Sequence, residues 1–168
     1  MTASVGVIGL GRMAQALILP LIERGTLSSS EIIGVVGREA SATRLTSLLP
    51  SGLTVVPASH PMAVDAWGAP VQLLAIKPQQ LDALAAGVPL PQSSAPPLLI
   101  SVLAGVTLER LQRTFPGRVC VRAVPNTPCL VGEGLCGLAW GKGVNADQRR
   151  WVRQAFEPIS EVLELPET

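Results

Sequence analysis

The sequence predicts an α/β fold built on a doubly wound, mostly parallel sheet. Two observations predict it. Apolar runs of strand length alternate with helix-like segments along the chain, the pattern of parallel strands joined by crossover helices. Hydrophobic residues make up 48% of the sequence and charged ones 15%, which suits strands that are buried on both faces and read as continuous apolar runs. No internal repeat and no linker divides the 168 residues, so residues 1–168 are expected to form a single domain.

Taken in order, residues 5–10 (Val5 to Leu10) form the first strand. Residues 12–24 form a helix closed by Gly25, with Pro20 inside it as an expected kink. The second strand covers 32–36, followed by a helix over 40–49. A short third strand covers 53–56, and the fourth, rich in Val, Leu and Ile, covers 71–76. Pro78 can occupy the first position of the next helix, with Leu81, Leu84 and Ala85 at helical spacing. A proline-rich loop leads to the fifth strand, 98–103. Thr107 is a candidate N-cap for a helix carrying Leu108, Leu111 and Phe115. The sixth strand covers 119–124 and a seventh 135–140. Asn145 with Gln148 has the form of a capping box before Trp151, Val152, Ala155 and Phe156. Residues 161–165 form a last strand.

Composition removes several classes of function. The formal net charge is +1, tyrosine is absent and there are two phenylalanines. With neither clustered cations nor stacking aromatics, no nucleic-acid partner is expected. The longest uncharged run, 83–108, contains Pro89, Pro91, Pro96 and Pro97, so no membrane-spanning helix is expected there. The N-terminus enters a strand almost at once, without a basic region and apolar leader, and a cytoplasmic location is expected. Cys120, Cys129 and Cys136 are odd in number and lack C-x-x-C spacing, which argues for small buried side chains over disulfides or a metal site. The one histidine, His60, lies in a proline-flanked loop with no partner in view and is expected at the surface.

The first strand runs into Gly9-Leu10-Gly11, with Ala14 three residues on and a helix behind. In a doubly wound sheet ligands gather at the carboxyl ends of the strands, and this G-x-G-x-x-A turn is the Rossmann-type cradle for a dinucleotide pyrophosphate. Gly9 allows the turn, Gly11 lets the phosphates approach the backbone, and Ala14 keeps helix and strand close. The free N–H groups and the dipole of the helix start face the anion. The second strand ends at Gly37-Arg38, where a site for unphosphorylated NAD would carry an acid for the ribose hydroxyls. Arg38 can hold a 2′-phosphate, with Ser41 and Thr43 as further donors. The expected cofactor is therefore NADP(H), with NADH as the weaker alternative.

Three other strand ends carry polar groups. Lys77 closes the fourth strand, where it can reach ribose or carboxamide oxygens; a lysine there can equally snorkel to solvent. Small residues from Ser101 to Gly105 allow a flat ring to lie against backbone. Pro125 and Pro128 stiffen a loop that presents Asn126 and Thr127, suited to a nicotinamide or a small polar substrate; the alternative is an Asx turn in which Asn126 bonds its own backbone.

The stretches "GVIGLGRMAQAL", "LLAIKPQQL", "ISVLAGVTLERL" and "RAVPNTPCLVGEGLCGL" resemble, in order and approximate spacing, pyrroline-5-carboxylate reductase, and the resemblance covers essentially the whole chain. It implies reduction of Δ1-pyrroline-5-carboxylate to L-proline with NAD(P)H, the last step of proline biosynthesis. It implies that Gly9, Leu10, Gly11, Arg12 and Met13 hold the pyrophosphate, that Lys77 and Pro78 border the nicotinamide ribose, that Val102, Leu103 and Ala104 line the cofactor, and that Asn126 and Thr127 lie near nicotinamide and substrate. Members of that family continue into an all-helical half that forms a dimer and contacts the imine, and no segment here matches it. The expectation is a cofactor-binding domain with no catalytic side chain of its own, weakly active or inactive alone, and a homodimer or higher oligomer for a full-length form. A free-standing, non-catalytic NADP(H)-binding or sensing module is the other reading.

Overall fold

The computed structural model describes residues 3–166. Strands β1 (Val5–Ile8), β2 (Ile32–Val36), β3 (Thr54–Pro57), β4 (Val71–Leu74), β5 (Leu98–Ser101), β6 (Val119–Pro125), β7 (Gly134–Trp140) and β8 (Ser160–Glu164) form one sheet in the order β3-β2-β1-β4-β5-β6-β7-β8. β1 to β6 are parallel to one another. β7 runs antiparallel to β6, and β8 runs parallel to β7. The mostly parallel, doubly wound sheet is therefore present, with an antiparallel edge that alternation alone did not reveal. A link of only eight residues separates β6 from β7, too short for the crossover that a parallel pair needs, so the chain turns back.

The helices are α1 (Arg12–Glu23), α2 (Glu39–Leu48), α3 (Ala63–Trp67), α4 (Leu81–Ala85), α5 (Leu108–Thr114) and α6 (Ala146–Phe156). α1, α2 and α6 bury Leu17, Leu45 and Phe156 against one face of the sheet. α3, α4 and α5 bury Trp67, Leu81 and Leu111 against the other. Pro20 stands inside α1, which runs past it to Glu23. The one-turn helix α3 was not foreseen, because five residues are too few to show a period. Pro78 opens a 3₁₀ turn, Pro78–Gln80, ahead of α4 rather than the α-helix itself. β1, β4 and β5 stop at Ile8, Leu74 and Ser101, two residues short of their apolar runs; the remaining apolar residues turn out of the sheet.

The two ends of the parallel strands differ in chemistry. At the amino ends, Arg118 and Gln72 are both buried. Arg118 Nε donates to Gln72 Oε1 at 2.7 Å, and its Nη2 donates to the Pro89 carbonyl at 3.0 Å. Gln72 Nε2 donates to the carbonyls of Trp67 and Ala69. The Arg118 guanidinium also lies 5.2 Å from the Trp67 ring centroid, and Trp67 stacks on Phe115. A buried cation is tolerated because its donors are met, and the cluster pins the proline-rich loop to the sheet. The carboxyl ends carry no such lock.

Candidate cofactor-binding site

The strand order reverses beside β1, and the crevice expected at such a switch point is a cavity of about 660 Å³ at the carboxyl ends of β1, β2 and β4. Its floor is the Gly9–Gly11 turn. Gly9 has φ +91°, and a Cβ there would stand 2.6 Å from the Ala75 carbonyl oxygen; only glycine fits. The Gly9 N–H donates to the Val35 carbonyl at 2.9 Å, which ties the turn to β2. Leu10 is buried over Gly34, where any Cβ would collide with the leucine side chain. Ala14 is fully buried under the turn. Gly11 faces open space, with nothing within 4 Å of a Cβ built upon it.

Gly11 is also the N-cap of α1, and no side chain caps that helix or places an acid in its first turn. The Leu10 carbonyl accepts from Gln15 Nε2 at 2.8 Å, which steadies the turn without covering its amides. An anion can therefore meet bare N–H groups at the positive end of the helix dipole. Two cations, Lys77 and Arg44, line the cavity, and no carboxylate does. Donors at the floor, cations towards both ends and apolar strand termini between them fit a polyanionic ligand with flat rings, the make-up of a phosphorylated dinucleotide.

The sequence-predicted residues divide. Gly9, Leu10, Gly11 and Lys77 line the cavity, and so does Ser41. Arg12 is exposed and borders a second depression, about 840 Å³, between α1 and Cys129, Val131 and Gly132. Met13 packs on the core, so its backbone N–H is the part that can serve a phosphate. Pro78 sits half-buried at the start of its 3₁₀ turn. Arg38 is exposed, precedes α2 and does not line the cavity, and neither does Thr43; the arginine that does is Arg44, one helical face further on. Val102, Leu103 and Ala104 also lie outside the cavity wall. Leu103 is 2% exposed, turned into the core, and its N–H is held by Ser101 Oγ at 3.2 Å.

Asn126 does not form the Asx turn: it makes no side-chain cap bond at the start of its own 3₁₀ turn and bonds instead across to β7. Its Oδ1 accepts the Leu135 N–H at 2.9 Å and faces the Cys129 thiol at 3.6 Å, which leaves its NH₂ group as the part that can reach a ligand. The side chain of Thr127 lies outside the described residues. Ala58, Gln79, Gln80 and Ala83 also line the cavity. Only their place behind strand ends could have marked them.

The cysteines are buried and unpaired with one another. Burial pushes the Cys120 thiol up to about 11, against the opposing pull of Arg118. Burial, reinforced by Cys129, pushes Cys136 up to about 12. Neither is ionised near neutrality, so neither is an activated nucleophile. Among the described residues, no cluster of His, Cys, Asp and Glu could hold a metal ion, and no helix is long and apolar enough to cross a membrane.

Residues 4–105 match the family described as NADP oxidoreductase, coenzyme F420-dependent. The chain belongs to that family. The matched segment includes the glycine turn, both cavity cations and all of β1 to β5. The chain is 38% identical over 167 residues to pyrroline-5-carboxylate reductase of Synechocystis sp., covering 99% of this chain and 60% of that protein. It is 34% identical over 160 residues to the enzyme of the same name from Haemophilus influenzae, covering 95% of this chain and 56% of that one. A solved pyrroline-5-carboxylate reductase from Coxiella burnetii superposes with a TM-score of 0.79 at 25% identity, over 98% of this chain and 59% of that one. The chain thus spans somewhat over half the length of the relatives it matches.

Proposed function

We propose that this chain is the NADP(H)-binding domain of a pyrroline-5-carboxylate reductase, serving reduction of Δ1-pyrroline-5-carboxylate to L-proline. The observation that carries the reading is the cavity at the switch point, with an uncapped helix start on its floor and two cations but no carboxylate on its walls. Bound there, the cofactor supplies the hydride. The chain's own part is binding and orientation. Backbone N–H groups from Gly11 to Met13 hold the pyrophosphate, Lys77 reaches the nicotinamide-side ribose, and the Asn126 NH₂ group faces the nicotinamide and substrate.

No His, Asp, Glu or Cys lines the cavity. On this reading the group that contacts the imine nitrogen lies in the part of the relatives that this chain does not span. The same part accounts for the apolar residues left exposed along β6 to β8, Val124, Leu135 and Leu163, which a homodimer or higher oligomer of a full-length form would cover. The test supplies purified 1–168 with NADPH and pyrroline-5-carboxylate. Cofactor binding with little or no proline formed is the expected result. Turnover like that of a full-length relative would overturn the division of labour.

A further inference from the structure

We propose that Arg44, not Arg38, is the residue that selects the 2′-phosphorylated dinucleotide; the inference rests on the cofactor reading above. Arg38 is the arginine nearest the end of β2 in sequence. It stands just before α2 in extended conformation, φ −134° and ψ 148°, exposed and outside the cavity wall. Arg44 sits in the second turn of α2. Ser41 lies three residues before it, so the two share one face of the helix. Ser41, Arg44 and Leu45 all line the cavity. Leu45, 5% exposed, anchors that face against the core and fixes its direction.

Gly37 also lines the cavity and has nothing within 4 Å of a Cβ built upon it. The space bounded by Gly37, Ser41 and Arg44 is therefore open, holds a hydroxyl and a guanidinium, and adjoins the end of β2, where a ribose bound across the switch point meets the sheet. Glu39, which would repel a phosphate, is exposed and off the cavity wall. A guanidinium presents paired N–H donors that match phosphate oxygens. Arg44 supplies the charge and the fork, and Ser41 supplies one further donor.

The experiment titrates two small probes that differ only in the phosphate in question, 2′,5′-ADP and 5′-AMP, into the wild-type chain, Arg44→Gln, Arg44→Lys and Arg38→Gln. Wild type is expected to prefer 2′,5′-ADP by about tenfold or more. Arg44→Gln removes the preference without changing 5′-AMP affinity, Arg44→Lys keeps part of it, and Arg38→Gln stays within about twofold of wild type. Because Arg44 is exposed, its variants should melt with the wild type. A preference that survives Arg44→Gln, or that disappears in Arg38→Gln, overturns the assignment. Wild type that binds 5′-AMP with no preference overturns the Arg44 assignment and leaves the cofactor cavity standing. Wild type that binds neither probe overturns both.

Discussion

Gly11 before α1 has φ −76° and ψ −171°; Asn145 before α6 has φ −85° and ψ 174°. The two helices thus begin from nearly the same backbone. At α6, Asn145 Oδ1 accepts the Gln148 N–H at 2.8 Å, and Gln148 Oε1 accepts the Asn145 N–H at 3.0 Å. At α5, Thr107 Oγ1 does a similar task for the Arg110 N–H. At α1 nothing does, and the uncapped start faces a cavity. A helix that lacks a cap gives up about 1 kcal/mol of its own stability. α2, α3 and α4 also lack a side-chain cap; what sets the α1 start apart from α5 and α6 is that its free donors open onto the cavity, where an anion from outside can meet them. The two ends of the sheet repeat the contrast: Arg118 and Gln72 satisfy each other at the amino ends, while Arg44 and Lys77 line open space at the carboxyl ends.

The contrast breaks if an amino-end change alters nucleotide binding. Gln72→Leu removes the acceptor from Arg118 Nε and leaves a buried cation with fewer partners. It should cost about 2–3 kcal/mol, a fall in Tm of about 8 °C, with NADPH affinity unchanged in calorimetry at a temperature where the variant is folded. A smaller effect sharpens the comparison of helix starts. Asn145→Ala should cost about 1 kcal/mol in urea unfolding, again with NADPH affinity unchanged.

A further effect is confined to alkaline pH. The Cys120 and Cys136 thiols are raised in the folded chain to about 11 and about 12 from an ordinary value of 9.0. Below about pH 9 both states hold these protons, and the stabilisation is fully present. Above it the unfolded chain releases protons that the folded chain retains, so stability falls as pH rises from about 9 through the folded values. Urea unfolding from pH 7 to 10.5 should show a flat region and then a decline, with a shallower decline in Cys136→Ala.

What the sequence made legible was local. The glycine turn, the strand cores, the Thr107 and Asn145 caps and Lys77 at a strand end are each set by a few adjacent residues, and all stand where residue chemistry placed them. The parts that needed distant geometry were not legible. The reversal at β7 depends on how residues 126–133 fold back. Asn126 is diverted by the Leu135 N–H, a partner nine residues away that exists only once β6 and β7 pair. Which arginine borders the cavity depends on the placement of α2: Arg38 was marked by its nearness to the strand end, but it precedes the helix, and Arg44, on the same helical face as Ser41, lines the cavity. The resemblance implies that Leu103 lines the cofactor; its side chain is buried in the core, a direction that only the packed fold reveals.

One substitution tests most directly whether the bare start of α1 receives the pyrophosphate. Gly11→Asp would place on α1 the kind of cap that α6 already has, at a backbone conformation open to any residue and a Cβ position with no neighbour within 4 Å. Thermal melts should show stability held or raised by a few tenths of a kcal/mol, while calorimetric titration should show NADPH affinity weakened by about 100-fold or more, from a carboxylate placed where the pyrophosphate would sit. NADPH binding to Gly11→Asp as tightly as to the wild type, or no NADPH binding by the wild type, would contradict that role.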